Sequence, residues 1–127
     1  MEFHPYWHED DLLDFCTKHN ITFNSYSPVG APDYTTTIGP TWNPIPDVRK
    51  HPNVTAIAQK YGKSPAQVVF RWHWQQGIVI NPRTRDPTHM KENLSIFDFQ
   101  LDNQDMMILS YLNHPMSKVC PDPRLIL

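Results

Sequence analysis

The stretch Ile78-Val79-Ile80-Asn81-Pro82-Arg83-Thr84 governs how the rest of this 127-residue chain is read. Three β-branched apolar residues stand in a row between Gly77 and Pro82. Such a short, continuous run predicts a strand buried on both faces, with proline ending it. Immediately upstream, Ser64-Pro65-Ala66-Gln67 carries a helix start: Ser64 to cap, Pro65 at the first helical position, Gln67 to close a capping box. That helix is expected to run to about Gln76, with Val68, Val69, Trp72 and Gln76 on one side and Gly77 as its stop. Before it, Asn53 to Tyr61 predicts another helix, with Val54, Ile57 and Ala58 as its apolar face and Gly62 as its C-terminal stop. Downstream, Thr88 to Leu94 predicts a short helix. Asp102 to Asn113 predicts a second, capped by Asp102 with Asp105 at its third position, before an irregular proline-bearing tail from His114.

Working outward to the N-terminus, Met1 to Tyr6 can form a short strand ended by Pro5. Glu9 to His19 predicts an amphipathic helix. Leu12, Leu13, Phe15 and Cys16 form its stripe, and Glu9, Asp10 and Asp11 stand at its positive end. Ile21 to Ser27 alternates as a strand does, with Ile21, Phe23, Ser25 and Ser27 on one face and Thr22, Asn24 and Tyr26 on the other. Pro28 to Pro52 is a long proline-rich loop, of a length that in compact domains usually carries function. Strands alternating with helices imply a parallel sheet, hence an α/β fold. About three strands are present, which leaves two open sheet edges.

Length predicts one domain spanning residues 1–127. Eleven basic residues against thirteen acidic give a net charge of −2, which points to neither nucleic acid nor an anionic membrane as partner. Aromatics at 12% argue against disorder. Thirteen prolines are scattered at element edges, as expected of many sharp turns. Two cysteines, Cys16 and Cys120, are too few for a disulfide scaffold. No signal-peptide pattern opens the chain, so a cytoplasmic setting is expected and the sequons at Asn20, Asn53 and Asn93 are read as accidental. His4 and His8 are four apart, but Pro5 breaks the helical geometry a metal pair would need, and no metal is expected.

Three segments, in this order, resemble the C-terminal half of an aldo/keto reductase. Glu2-Phe3-His4-Pro5-Tyr6 resembles the sixth strand of that family's barrel. Ser25-Tyr26-Ser27-Pro28-Val29-Gly30-Ala31-Pro32 resembles the seventh strand and its cofactor loop. Ile80-Asn81-Pro82-Arg83-Thr84, with Glu92-Asn93 and Phe97-Asp98-Phe99, is similar to the eighth strand, its phosphate-binding turn and the lead into the last helix. The fold implied is a partial (β/α)8 TIM barrel: about three parallel strands with surrounding helices. In such barrels phosphate is held by the last two βα loops.

The resemblance implies NADP(H) as cofactor. Tyr26 would stack on the nicotinamide. Ser27, Val29 and Gly30 would line the pyrophosphate, glycine allowing close backbone approach. Asp33 would close over the cofactor against Arg83, and Arg83, Thr84 and Arg85 would receive the 2′-phosphate. His89 stands where the family often has Arg, and Arg83 where it often has Lys. His89 is mostly neutral at pH 7 and would hold a phosphate less firmly, so NADPH over NADH is an expectation to be tested. Glu92 and Asn93 match positions that hydrogen-bond the adenine.

The family's Tyr, Lys, Asp and His for carbonyl reduction come from the first half of the barrel, and no residue here matches them. Catalytic residues are therefore expected to be none, and the chain alone inactive. It would reduce aldehydes or ketones to alcohols only when joined to the missing half, and a carbonyl substrate would enter only a complete barrel. Trp42 is the one bulky loop residue that could reach it, and it could equally serve as a packing anchor. The alternative is a non-enzymatic, truncated remnant that binds another chain, or itself, through open sheet edges.

Overall fold

The computed structural model of the protein describes residues 1–30, 46–114 and 117–120. The expected Asp33 clamp and Trp42 lie outside them. The order of elements is helix α1 (Asp10–Lys18), strand β1 (Asn24–Tyr26), a 3-10 turn (Val48–Lys50), helices α2 (Pro52–Tyr61) and α3 (Pro65–Gln75), strand β2 (Val79–Asn81), and helices α4 (Pro87–Leu94) and α5 (Asn103–Ser110).

The helix signals act where the sequence placed them. Ser64 accepts from the Gln67 amide while the Gln67 side chain accepts from the Ser64 amide, closing the capping box, and Pro65 occupies the first turn. Gly62 ends α2 in the left-handed conformation at φ 62°, open to glycine without strain. Asp102 accepts from the Asp105 amide at the start of α5. The 3-10 turn inside the long loop was not expected. Asp47 caps it and grips Arg49 through both carboxylate oxygens.

The strands are shorter than the alternation implied. β1 and β2 pair in parallel, with Asn24 opposite Val79, Ser25 opposite Ile80 and Tyr26 opposite Asn81. The first segment pairs with β1 through a single parallel bridge, Glu2 to Tyr26, supported by the Tyr26 amide donating to the Met1 carbonyl at 2.9 Å. It then folds back at Pro5-Tyr6, where the amide and carbonyl of His4 bond to those of Trp7. Proline lacks the amide that would extend the ladder. Among the described residues, two strands and a bridge thus stand where about three strands were expected.

Helix α3 packs against this sheet through β2, and α2 packs against α3. Val54, Ile57, Ala58, Val68, Val69 and Trp72 form the core with Phe3, Phe23, Ile78, Leu101 and Leu109. Each fully buried side chain of this kind contributes roughly 1.5–3 kcal/mol. Trp72 is its largest member, stacked against Phe3 at 5.5 Å between ring centroids, its indole N–H donating to Ser110 Oγ. Helix α1 is peripheral: Leu13 and Cys16 pack on the core while Leu12 and Phe15 stay exposed.

The sheet's other side is open. Ile78 is buried, yet Val79 is 46% exposed, which corrects the expectation of a strand covered on both faces. The apolar run is that of a doubly covered strand, but Asn24, Tyr26, Val79 and Asn81 are exposed on their shared face, with Cys120 beside Tyr26. Among the described residues no helix is long and apolar enough to cross a membrane.

Candidate functional site

The open face and the two loops that leave it make the candidate site. β1 ends at Tyr26, whose side chain is 45% exposed on that face. Ser27 follows at φ 52°, and the Gly30 amide donates to the Ser27 carbonyl at 2.8 Å, closing a turn over Pro28 and Val29. Gly30 adopts φ 75°, a conformation that costs a residue with a side chain. Ser27 and Val29 are half-buried and Gly30 is buried. The turn hugs the end of the sheet at the point where a parallel sheet offers its ligand edge.

One strand over, β2 ends at Asn81, the register partner of Tyr26. Pro82 breaks the ladder, and Arg83 and Arg85 stand exposed with Thr84 half-buried between them. Thr84 Oγ1 accepts from the Asp86 amide, and Asp86 caps α4 by accepting from the Thr88 amide at 2.7 Å. That bond holds the Asp86 carboxyl below the ordinary carboxylate range. The Asp86 carboxylate therefore caps the start of α4, directly after the Arg83–Arg85 turn. On α4, His89 is exposed, while Glu92 and Asn93 are half-buried beside α3, whose Gln67 donates to the carbonyls of Glu92 and Ser95.

The reading of the sequence missed one part of the site. Glu2 is fully buried and accepts from the amides of Val119 and Cys120, both at 2.7 Å, while His4 Nε2 donates to it at 2.9 Å. These bonds outweigh burial and hold the Glu2 carboxyl below its usual range. The tail is thereby fixed against the first segment, next to Tyr26. Burial, and then the neighbouring Cys120 thiol, push the Tyr26 phenol up. Burial and the Glu2 carboxylate push the Cys120 thiol up in turn. Cys120 is a neighbour of Tyr26, and its raised pKa disfavours the nucleophilic thiolate. Only the spacing Glu2-Phe3-His4, with two ionisable groups on one face of a strand, could have hinted at this knot.

His8 bridges Asp10 and the Ser110 carbonyl, tying the start of α1 to the end of α5. His73 lies between the carbonyls of Val69 and Phe3, at 2.7 and 2.8 Å. Burial lowers its pKa to about 4, so the ring is neutral and donates to only one of them.

Comparison with known proteins resolves what this arrangement belongs to. The sequence model of the aldo/keto reductase family matches residues 1–113. The chain belongs to the aldo/keto reductase family. It is 34% identical over 123 residues to aldo-keto reductase family 1 member A1 of Xenopus tropicalis, covering 95% of this chain and 36% of that protein. It is 36% identical over 115 residues to aldo-keto reductase family 1 member D1 of Oryctolagus cuniculus, covering 89% and 34%. Among solved structures, apo Gox0644 superposes with a TM-score of 0.80 at 32% identity, over 96% of this chain and 40% of that one. A mutant of Gox0644 in complex with NADPH superposes at 0.82 and 31% identity, over all of this chain and 42% of that one. The chain spans about a third of the length of the curated relatives it matches. The fold is therefore α/β with aldo/keto reductase neighbours, as the sequence implied.

Proposed function

We propose that these residues are the NADP(H)-holding, C-terminal part of an aldo/keto reductase barrel, an oxidoreductase that reduces aldehydes or ketones to alcohols. The observation that carries this reading is the pairing of Tyr26 with Asn81. It sets an exposed aromatic ring at one strand end, followed by the Ser27–Gly30 turn, and the Arg83–Arg85 turn two residues beyond the other. A neighbour of similar backbone is described in complex with NADPH, which supports the assignment.

The residues present fit the group. Tyr26 offers a flat ring for the nicotinamide, and the Ser27, Val29 and Gly30 backbone offers close approach to the pyrophosphate. Arg83, Thr84 and Arg85 offer guanidinium and hydroxyl donors to a 2′-phosphate, His89 adding a weak donor. Glu92 and Asn93 offer polar side chains to the adenine, and Asp33 is assigned to clamp over the cofactor. When bound, the reduced cofactor supplies the hydride to the carbonyl carbon. This chain's part is to orient the ring and exclude water from one of its faces. The proton donor and its Asp, Lys and His helpers are assigned to polypeptide outside these residues, so the 127 residues alone do not turn over substrate.

The test is cofactor discrimination. Arg83→Ala should weaken NADPH binding about tenfold more than NADH binding, as loss of a charge-assisted contact to the extra phosphate requires. Equal losses would overturn the 2′-phosphate assignment. Glyceraldehyde reduction by the chain alone, at the rate of a whole enzyme, would overturn the assignment of the proton donor elsewhere.

A second reading rests on the open sheet face and the exposed Phe15, Leu94 and Phe97: a remnant that docks another chain or a second copy. A stable folded monomer in size-exclusion chromatography counts against it.

A further inference from the structure

The open face carries two residues that the cofactor reading leaves unused. Asn24 and Asn81 lie diagonally across the β1–β2 ladder, both exposed, and Asn81 Nδ2 donates to Asn24 Oδ1 at 2.6 Å. Asparagine is disfavoured in strands, and here it takes two positions of a three-residue pair of strands, both on the same face as Tyr26. The bond between them uses one N–H of Asn81 and the carbonyl of Asn24. Beyond that bond the exposed Asn81 side chain keeps a second N–H and a carbonyl, and the bond to Asn24 restrains how the amide is turned. Asn81 is the register partner of Tyr26, so its Cα stands about one strand spacing, ~4.8 Å, from that of Tyr26.

We propose that Asn81, oriented by Asn24, hydrogen-bonds the ribose between the nicotinamide ring and the pyrophosphate. This rests on the cofactor assignment above and deepens it. If Tyr26 carries the ring and the Ser27–Gly30 turn the pyrophosphate, the sugar joining them passes the strand end where Asn81 stands. A ribose hydroxyl both donates and accepts, which complements an amide with one N–H and one carbonyl open. An apolar residue at either position would pack on the face equally well and offer neither group. Asn81 is then a contact residue and Asn24 a positioning residue.

The experiment compares three ligands on the chain and on Asn81→Leu and Asn24→Val, with far-UV circular dichroism as the control for folding. NADPH and 2′-phospho-ADP-ribose contain the sugar in question, whereas 2′,5′-ADP lacks it. The proposal expects Asn81→Leu to weaken the first two about three- to tenfold and to leave 2′,5′-ADP unchanged, with a smaller loss of the same pattern for Asn24→Val. Loss for NADPH alone would assign the amide to the nicotinamide carboxamide and overturn the ribose contact. Equal loss for all three ligands would make the pair structural and overturn it too. No loss for any ligand, while Tyr26→Ala and Arg83→Ala still weaken NADPH, overturns this inference and leaves the cofactor assignment standing. If neither Tyr26→Ala nor Arg83→Ala matters, the cofactor assignment falls and this inference with it.

Discussion

Two faces of one three-residue strand divide the labour of this molecule. Ser25 points into the closed side, fully buried, its hydroxyl donating to the Phe3 carbonyl beside the aromatic core. Asn24 and Tyr26, its immediate neighbours, point to the open side. The alternation of a strand puts buried and exposed groups about 3.3 Å apart along the chain without mixing them. Substitutions on the closed side should therefore cost stability, and those on the open side should cost binding alone.

The largest effect expected is Trp72→Ala. Removing the biggest fully buried side chain should destabilise the fold by about 3–5 kcal/mol, read as a lowered denaturant midpoint. A loss below about 1 kcal/mol would break the division. Next comes acid. The folded pKa of His73 is about 4, below the ordinary imidazole value, so the unfolded chain binds the extra proton first. Stability from this group is complete above about pH 6.5 and falls as pH drops towards 4, by on the order of 3 kcal/mol. His73→Gln should flatten that part of the stability profile, and an unchanged profile would contradict the buried neutral ring.

Glu2→Gln should follow, at about 2 kcal/mol, because a neutral amide cannot accept from both tail amides with a carboxylate's strength. Hydrogen exchange at Val119 and Cys120 should accelerate. Glu2 titrates below its ordinary value in the folded chain, so its tether is intact above the normal carboxylate range and fails as pH drops through the lowered value. The smallest stability effect belongs to Tyr26→Ala, within about 0.5 kcal/mol, with NADPH affinity down about tenfold. A large stability loss there would show that the open face is structural after all.

Local rules made the helical half of the fold legible. The Ser64 capping box, the Gly62 stop and the Val54-Ile57-Ala58 stripe each depend on neighbours within four residues, which the sequence displays directly. Strand extent was less legible, since pairing partners decide it: Ile21 and Thr22 alternate correctly yet lie outside the ladder, which Phe23 joins only through its carbonyl, accepting from the Val79 amide. Val79 was misread for the same reason, as an apolar residue does not say whether the wall that covers it belongs to these residues. The Glu2 knot joins positions 117 and 118 residues apart, and no spacing rule reaches that far. Tyr26, Gly30 and the Arg83–Arg85 turn drew the site assignment because their types at strand ends carry chemistry. Asn24 and Asn81 were not singled out, because only the register brings them together.

The central claim is that the open face and its two loops hold NADP(H). Backbone amide NMR during titration with NADPH tests it most directly, because shifts report even weak binding residue by residue. The account predicts perturbations at Tyr26 to Gly30, Asn81, Arg83 to Arg85 and His89 to Asn93, and none along α1 or α5. No perturbation at millimolar NADPH, or shifts confined to the cleft lined by Trp7, Asp10 and Asn113, would contradict it.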